Sequence, residues 1–143
     1  MDRLALSNQI CFPLYALSRQ VTALYRPLLE KLDLTYPQYL VMLLLWETDN
    51  VTVGAIGDRL LLDTGTLTPL LKRMTQKGLI TRTRNPADER QVTIQLTDSG
   101  RAMRNQAIHI PAELQNNLNL DDAQAVSLHH QLVTLLTQLS KTE

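Results

Sequence analysis

The chain has 143 residues, 44% of them hydrophobic, and its 14 basic and 14 acidic residues leave no net charge. That length suits one domain, and that apolar content supplies a hydrophobic core, which excludes a disordered chain. No apolar run is long enough for a signal sequence or a membrane span, so we expect a cytoplasmic protein. One cysteine and three histidines exclude a disulfide framework, and we expect neither a metal site nor a cofactor.

Two helices are predicted in the first fifty residues. Apolar side chains recur every three or four positions over residues 14–28, which is typical of a long amphipathic helix that packs against a partner helix. Pro27 predicts a kink, or a reoriented last turn that reaches residue 32. A second helix is predicted over residues 36–46, because Tyr36-Pro37 places proline where a first helical turn tolerates it.

The middle of the chain predicts a winged helix-turn-helix. Thr52 caps a short helix over residues 53–60, and an i, i+3, i+4, i+7 apolar pattern predicts a second helix that ends at Lys77-Gly78. Pro69 predicts either a start of that helix delayed to near Thr68 or distorted first turns. Two strands follow, at residues 79–84 and 91–96, around a turn at Asn85-Pro86; this hairpin is the wing.

Helices are predicted again after the wing. Thr97 and Asp98 offer caps for a helix that runs to about Ile110, where Pro111 interrupts or kinks the chain. A last helix starts at Asp121 with Gln124 as its capping-box partner. Its apolar stripe consists of Leu128, Leu132, Leu135, Leu136 and Leu139.

These elements predict a mainly α fold with a small β wing. We expect a single domain over residues 1–143. Its DNA-binding unit is the winged helix-turn-helix at 49–97, and dimerisation helices flank it at 1–48 and 98–143. The terminal helices are assigned to a homodimer because their apolar stripes have no other large surface to cover.

Charge is distributed unevenly along the neutral chain. Residues 64–90 hold six basic and two acidic residues, a net charge of +4, across the second helix and the wing. On the helix, the face opposite the leucines carries groups that can contact base edges and phosphates. These are Thr64, Thr66, Thr68, Lys72, Arg73 and Gln76.

The wing adds a charged pair. Arg90 can enter a minor groove, and Asp88 can fix its rotamer. Double-stranded DNA is therefore the expected partner. A winged helix that binds protein is the alternative, and the position of the basic excess favours DNA.

Cys11 lies near the aromatic residues, all six of which fall between residues 12 and 46. A lone cysteine can be a small buried hydrophobic residue, with the tyrosines as core amphiphiles. On one straight helix Tyr25 lies about 21 Å from Cys11 along the axis, at about 1.5 Å per residue. If the N-terminal helices of two subunits pack antiparallel, Tyr25 of one approaches Cys11 of the other. Tyrosine hydroxyls that donate to sulfur, and a helix start near Pro13, then favour an oxidisable thiolate.

Several stretches over residues 7–111 closely resemble the organic-hydroperoxide-responsive repressors of the MarR family. They are NQICFPLY, YRPLLEKLDLTYPQYLVMLLLWE, LDTGTLTPLLKRM, KGLITR and DERQVTIQLT. The resemblance implies that Cys11 senses peroxide, that Tyr25 and Tyr36 bond its sulfur across a dimer, and that Tyr15 is an aromatic neighbour. It also implies DNA contacts on the recognition helix and a wing pair. These positions are Thr64, Gly65, Thr66, Thr68, Pro69, Asp88 and Arg90.

Two positions depart from the family pattern. Pro13, two residues after the sensing cysteine, is not expected there. Some members also carry a second cysteine near the C-terminus, and its absence here matches the one-cysteine branch. Oxidised Cys11 therefore stops at sulfenic acid, closes on a backbone nitrogen, overoxidises, or takes up a low-molecular-weight thiol as a mixed disulfide.

The hypothesis that follows is a redox-controlled repressor without catalytic turnover. The reduced dimer places two recognition helices in successive major grooves of an inverted repeat, and Arg90 reaches the flanking minor groove. An organic hydroperoxide enters the apolar pocket around Phe12 and Tyr15 and oxidises Cys11, and the terminal helices repack. Two alternatives stay open: a repressor released by a small aromatic ligand with Cys11 structural, and a thiol peroxidase in which Cys11 turns over.

Overall fold

The computed structural model describes residues 2–141. Its helices are α1 Cys11–Glu30, α2 Tyr36–Glu47, α3 Val53–Leu60, α4 Thr64–Gln76, α5 Asp98–Ala107, α6 Ile110–Asn117 and α7 Asp122–Ser140. Its strands are β1 Val51–Thr52, β2 Ile80–Asn85 and β3 Asp88–Leu96, and a single 3-10 turn at Leu6–Asn8 precedes α1. The mainly α fold with a winged helix-turn-helix is confirmed. Residues 1, 142 and 143 of the predicted domain lie outside the described residues.

The described chain forms two compact units. One ends at Ile108 and contains α1 to α5 with the sheet, and the other begins at His109 and contains α6 and α7. None of the helices within residues 2–141 combines the length and the apolar character needed to cross a membrane.

Helix α1 is continuous through Pro27. It ends at Glu30, so the predicted extension to residue 32 is wrong. The chain leaves the helix through Asp33, which has a left-handed backbone with φ of 52°. Near this end Leu28 and Leu29 are buried, whereas the N-terminal half of the helix is largely exposed.

Helix α2 forms the centre of the first unit and begins with a capping box. The Thr35 hydroxyl accepts a hydrogen bond from the Gln38 N–H at 3.4 Å, and the Gln38 side-chain oxygen accepts one from the Thr35 N–H at 3.0 Å. Pro37 lies in the first turn as predicted, where a missing N–H costs no helical bond. The helix packs against α1, α3, α4 and α5, which accounts for its six buried residues.

The helix-turn-helix forms as predicted, with two caps. Thr52 accepts from the Ala55 N–H at 3.1 Å to start α3, and Asp63 accepts from the Thr66 N–H at 2.7 Å to start α4. Because Asp63 caps it, α4 begins at Thr64 and runs continuously past Pro69. The expected delay of the helix start to near residue 68 is therefore wrong.

The wing is part of a three-stranded antiparallel sheet in the order β1-β3-β2. The predicted hairpin is confirmed, although β3 begins at Asp88, three residues before the predicted start. The pairing is irregular near the tip, where the register shifts between Arg84 and Asn85. Strand β1 has only two residues and escaped prediction, because pairing with Thr93 and Ile94 defines it rather than any local pattern.

Helix α5, which follows the wing, is fixed by its N-terminal cap and by a hydrogen bond from α2. The Thr97 hydroxyl accepts from the Gly100 N–H at 3.0 Å, as predicted for a cap of α5. The Gly100 carbonyl accepts from Nε1 of Trp46 at 2.9 Å, which joins α5 to α2. A Cβ on Gly100 would meet the Leu79 carbonyl oxygen at 2.2 Å, so this contact requires glycine.

The C-terminal helices differ in part from the prediction. Helix α5 ends at Ala107 rather than near Ile110, and Pro111 lies in the first turn of a separate helix, α6. Proline suits that position because a first-turn N–H has no helical acceptor. The predicted cap of the last helix is confirmed, since Asp121 and Gln124 form a reciprocal capping box.

Candidate functional site

Cys11 is the first residue of α1 and is a free, exposed cysteine. The helix therefore starts two residues before the predicted position at Pro13. The N-cap, Ile10, makes no side-chain capping bond, so the first backbone N–H groups of α1 are not capped from that residue. Within one chain, Cys11 is thus not a buried core residue.

The first turns of α1 carry exposed aromatic and apolar side chains. Phe12 is 47% exposed and Tyr15 is 63% exposed. The guanidinium carbon of Arg19 lies 5.6 Å from the centre of the Tyr15 ring, which is a cation–π contact one helical turn further on. In the single chain the predicted pocket residues Phe12 and Tyr15 thus form an open apolar surface beside the thiol.

Three tyrosines cluster where the C-terminal half of α1 meets the start of α2. The ring centres of Tyr25 and Tyr36 are 4.7 Å apart, and Tyr39 lies 5.6 Å from Tyr25 and 6.5 Å from Tyr36. Tyr39 is almost fully buried and was not predicted as a site residue. Its spacing from Tyr36, three residues along one helix, was the available signal.

The cluster holds its phenols in the neutral form. Burial raises the pKa of all three tyrosines above the ordinary value of 10.0. The shift of the Tyr25 pKa is the largest, because Tyr36 and Tyr39 add electrostatic repulsion to the effect of burial. Each hydroxyl is protonated at neutral pH, as in an ordinary tyrosine, and the raised pKa extends this neutral form to alkaline pH, where the hydroxyl can still donate a hydrogen bond to an anionic acceptor.

The structure does not bring Cys11 to these tyrosines within one chain. Because α1 is continuous from Cys11 to Glu30, Tyr25 lies about 21 Å along the axis from the thiol. The predicted contact of the sulfur with Tyr25 and Tyr36 thus requires a second copy of the chain.

The predicted recognition residues share the exposed side of α4. All eight are exposed, whereas the leucines and the methionine between them are buried. They are Thr64, Gly65, Thr66, Thr68, Pro69, Lys72, Arg73 and Gln76. At the start of α4, the hydrogen bond from the Thr66 N–H lowers the pKa of Asp63, which keeps this N-cap ionised.

The wing presents Asp88 and Arg90 at the start of β3, and both are exposed. The Asp88 carboxylate accepts from the backbone N–H of Arg90 at 3.1 Å. It therefore shapes the backbone of the tip through an Asx-type bond, and its contact with the Arg90 guanidinium stays a prediction. Arg82 and Arg84 on β2 are also exposed, and the sequence indicates them only through the charge excess of this segment.

Within residues 2–141 no group of three or more His, Cys, Asp or Glu side chains is arranged to hold a metal ion. The chemical groups assembled in the described chain are therefore a thiol, a set of neutral phenols, and an exposed basic helix and wing.

Comparison with known proteins assigns these features to a family. Residues 23–107 match the family described as "Transcriptional regulator SarA/Rot". The chain is 49% identical over 138 residues to the organic hydroperoxide resistance transcriptional regulator of Bacillus subtilis, covering 96% of this chain and 94% of that protein.

Solved structures agree with this assignment. Reduced AbfR bound to DNA has a TM-score of 0.78 and 36% identity, covering 94% of this chain and 93% of that chain; AbfR comes from Staphylococcus epidermidis. A mutant of MarR from E. coli, in complex with operator DNA, has a TM-score of 0.79 and 26% identity, covering 89% of this chain and 93% of that one. The chain therefore belongs to the MarR family of winged-helix transcriptional regulators, in the branch that includes the organic hydroperoxide resistance regulator of Bacillus subtilis.

Proposed function

We propose that this protein is a redox-sensing transcriptional repressor. It binds an inverted-repeat operator while Cys11 is reduced and releases it when an organic hydroperoxide oxidises Cys11. The observation that carries the proposal is the position of the only cysteine, free and exposed at the first turn of α1. The named function of the Bacillus subtilis relative and the DNA-bound reduced form of AbfR support it.

The working form is a homodimer. Leucines stay exposed on α7, which has no buried residue, and the N-terminal half of α1 exposes Phe12, Leu14 and Leu17. A second copy of the chain covers these surfaces. With the two α1 helices antiparallel, the hydroxyls of Tyr25 and Tyr36 of the partner subunit donate to the Cys11 sulfur, twice by symmetry.

The DNA contacts follow from the exposed side of α4. Two recognition helices enter successive major grooves, about 34 Å apart. The threonines and Gln76 meet base edges, and Lys72 and Arg73 neutralise phosphates. On each wing, Arg90 enters the flanking minor groove beside Asp88.

The chemical step is one two-electron oxidation. The Cys11 thiolate attacks the terminal oxygen of the hydroperoxide, the O–O bond breaks, and the alkoxide leaves and takes a proton to become the alcohol. Cys11 becomes a sulfenic acid. A low-molecular-weight thiol then condenses with it, which releases water and leaves a mixed disulfide that a further thiol can reduce. The chain has no second cysteine for an intrachain disulfide.

Release follows from the loss of the tyrosine bonds. An oxidised or capped sulfur no longer accepts from the partner's phenols in the same place, so the first turns of α1 and α2 repack. The relatives are named transcriptional regulators, in line with a sensor oxidised once per cycle in the cytoplasm rather than an enzyme.

The decisive experiment is fluorescence anisotropy on the DNA upstream of the protein's own gene. Reduced wild type and Cys11→Ser are titrated onto the labelled duplex, and one equivalent of cumene hydroperoxide per subunit is added. We expect both proteins to bind and only the wild type to be released.

Retention by oxidised wild type contradicts the redox function. In that case, release of both proteins by a small aromatic acid identifies a regulator controlled by a reversible ligand, with Cys11 structural.

A further inference from the structure

Lys77 ends the recognition helix and reaches the turn between α1 and α2. Its backbone N–H bonds back to the carbonyls of Arg73 and Thr75, which fixes it to the last turn of α4. Its ammonium donates to the Asp33 carbonyl and, at 3.3 Å, to the side-chain oxygen of Gln38. The Asp33 carboxylate lies 3.4 Å away.

These contacts fix the position of the Lys77 side chain, and the Coulombic energy of the ion pair with Asp33 is small. The Asp33 carboxylate is 88% exposed and the Lys77 side chain 30%, so water screens the ion pair. The ammonium, in contrast, donates two hydrogen bonds, one to the Asp33 carbonyl in the turn and one to the Gln38 side chain in the first turn of α2. A lysine 44 residues from Asp33 in the sequence thus ties two elements at a single point.

The acceptors belong to the segment that carries the sensor tyrosine. Gln38 is only 3% exposed, and the same oxygen that meets Lys77 also accepts from the Thr35 N–H in the capping box of α2. Tyr36 lies inside this box, between Thr35 and Gln38, and its ring packs on Tyr25. A displacement of the Tyr36 backbone therefore shifts the same helical turn that carries one of the two acceptors of the ammonium.

Apolar packing alone transmits such a displacement less directly. The side of α4 that faces the core consists of Leu67, Leu70, Leu71 and Met74, and aliphatic contacts are non-directional. Hydrogen bonds impose a distance and an angle, and here they act on the residue directly after Gln76, the last residue of α4.

We propose that Lys77 is a positioning residue that transmits the state of the tyrosine cluster to the recognition helix. The inference rests on the proposed redox function. When Tyr36 loses its sulfur partner, the first turn of α2 shifts, and the Lys77 ammonium carries this shift to the C-terminal end of α4. Without the ammonium, α4 keeps its apolar packing. A shift of Tyr36 then displaces the C-terminal end of α4 less than in the wild type.

The test measures how strongly oxidation changes the affinity for DNA, rather than the affinity itself. Dissociation constants on the upstream duplex are measured for reduced and oxidised protein, and the ratio of oxidised to reduced Kd is the readout. For Lys77→Met we expect a ratio about 3- to 30-fold smaller than that of wild type. Lys77→Arg, which keeps the charge and the donors, retains most of the ratio. A merely structural role changes thermal stability or scales both constants equally, and leaves the ratio unchanged.

Arg101→Met is the matched control, because it breaks exposed ion pairs with Asp49 and Asp98 away from the α1–α2 turn. We expect it to keep the wild-type ratio within about twofold. A Lys77→Met ratio equal to or larger than that of wild type overturns the coupling role alone. A wild-type ratio near one refutes the redox function itself, and the coupling role with it.

Discussion

At the scale of single residues, the phenols of Tyr25, Tyr36 and Tyr39 combine burial with a polar tip. Their rings pack within 6.5 Å of one another, and burial disfavours their ionised forms. A neutral phenol donates to a thiolate, whereas a phenolate would repel it. The same packing that stabilises the junction of α1 and α2 thus extends to alkaline pH the neutral form in which Tyr25 and Tyr36 can donate to sulfur.

The raised pKa of Tyr25 has a consequence at alkaline pH. A group whose pKa is raised on folding contributes stability that is fully present below the unfolded value of 10.0 and is lost as the pH rises above it. We therefore expect the free energy of unfolding of wild type to fall above pH 10 more steeply than that of Tyr25→Phe. Urea denaturation followed by circular dichroism at pH 8 to about 11.5 measures the two slopes.

Tyr15→Phe is the control, because it removes a phenol that lies outside the cluster of Tyr25, Tyr36 and Tyr39. It should follow the wild-type profile. Parallel profiles for wild type and Tyr25→Phe would show that the Tyr25 hydroxyl does not titrate differently on folding.

At the scale of elements, most of the chain could be predicted because its signals are local. Caps at Thr52, Thr97 and Asp121 lie within three residues of the N–H groups they satisfy, so the sequence alone indicates them. Strand β1 and the contacts of Lys77 depend on partners roughly 40 residues away, which no periodicity reveals.

For the candidate site the same distinction holds. The exposed side of α4 follows from helical spacing, and the structure confirms that its predicted residues are exposed. The tyrosine cluster required the packing of α1 on α2, so Tyr39 was missed. Of the two outcomes predicted for Pro69, the delayed helix start is wrong because Asp63 caps the helix at Thr64.

The close approach of Gly100 in α5 to the Leu79 carbonyl leads to a prediction about stability. Gly100→Ala forces a methyl group against the Leu79 carbonyl oxygen, at 2.2 Å, and the backbone cannot yield without loosening the turn after α4. We expect the free energy of unfolding to fall by about 3 kcal/mol. Urea denaturation followed by circular dichroism gives the value.

Gly54→Ala is the matched substitution, since nothing lies within 4 Å of its added Cβ on α3. It should leave stability unchanged or raise it by up to about 1 kcal/mol, because alanine favours helix. Equal losses in both variants would mean that helix geometry, not the contact with Leu79, decides the outcome.

At the scale of the whole molecule, the main feature is the apolar surface that stays exposed on α7. Helix α7 has 19 residues and none of them is buried, although leucines recur along one stripe. Water does not stabilise such a stripe, and most of the stability of a helix in a protein comes from packing its apolar face. A second subunit supplies that packing in the proposed dimer.

A single introduced charge tests whether the leucine stripe of α7 forms the dimer contact. Leu132→Asp places a carboxylate in the middle of the leucines and should weaken dimerisation by about 3 to 5 kcal/mol, because the charge is buried without a partner. Sedimentation velocity then shows monomer at concentrations where wild type is dimer. DNA binding is lost in parallel, since a monomer contacts only one half-site.

His130→Asp is the control, because a position two residues from both Leu128 and Leu132 lies on the opposite side of the helix. It should remain dimeric. A dimeric Leu132→Asp protein would place the subunit contact elsewhere than on this stripe.

The bond between Trp46 and the Gly100 carbonyl gives the chain an optical signal of its own. Trp46 is the only tryptophan, and it joins the helix that begins at Tyr36 to the helix that follows the wing. Indole emission changes in wavelength and intensity when such a bond lengthens or water reaches the ring. Rapid mixing of reduced, unlabelled protein with a hydroperoxide thus measures how quickly oxidation of the thiol changes the contact between α2 and α5.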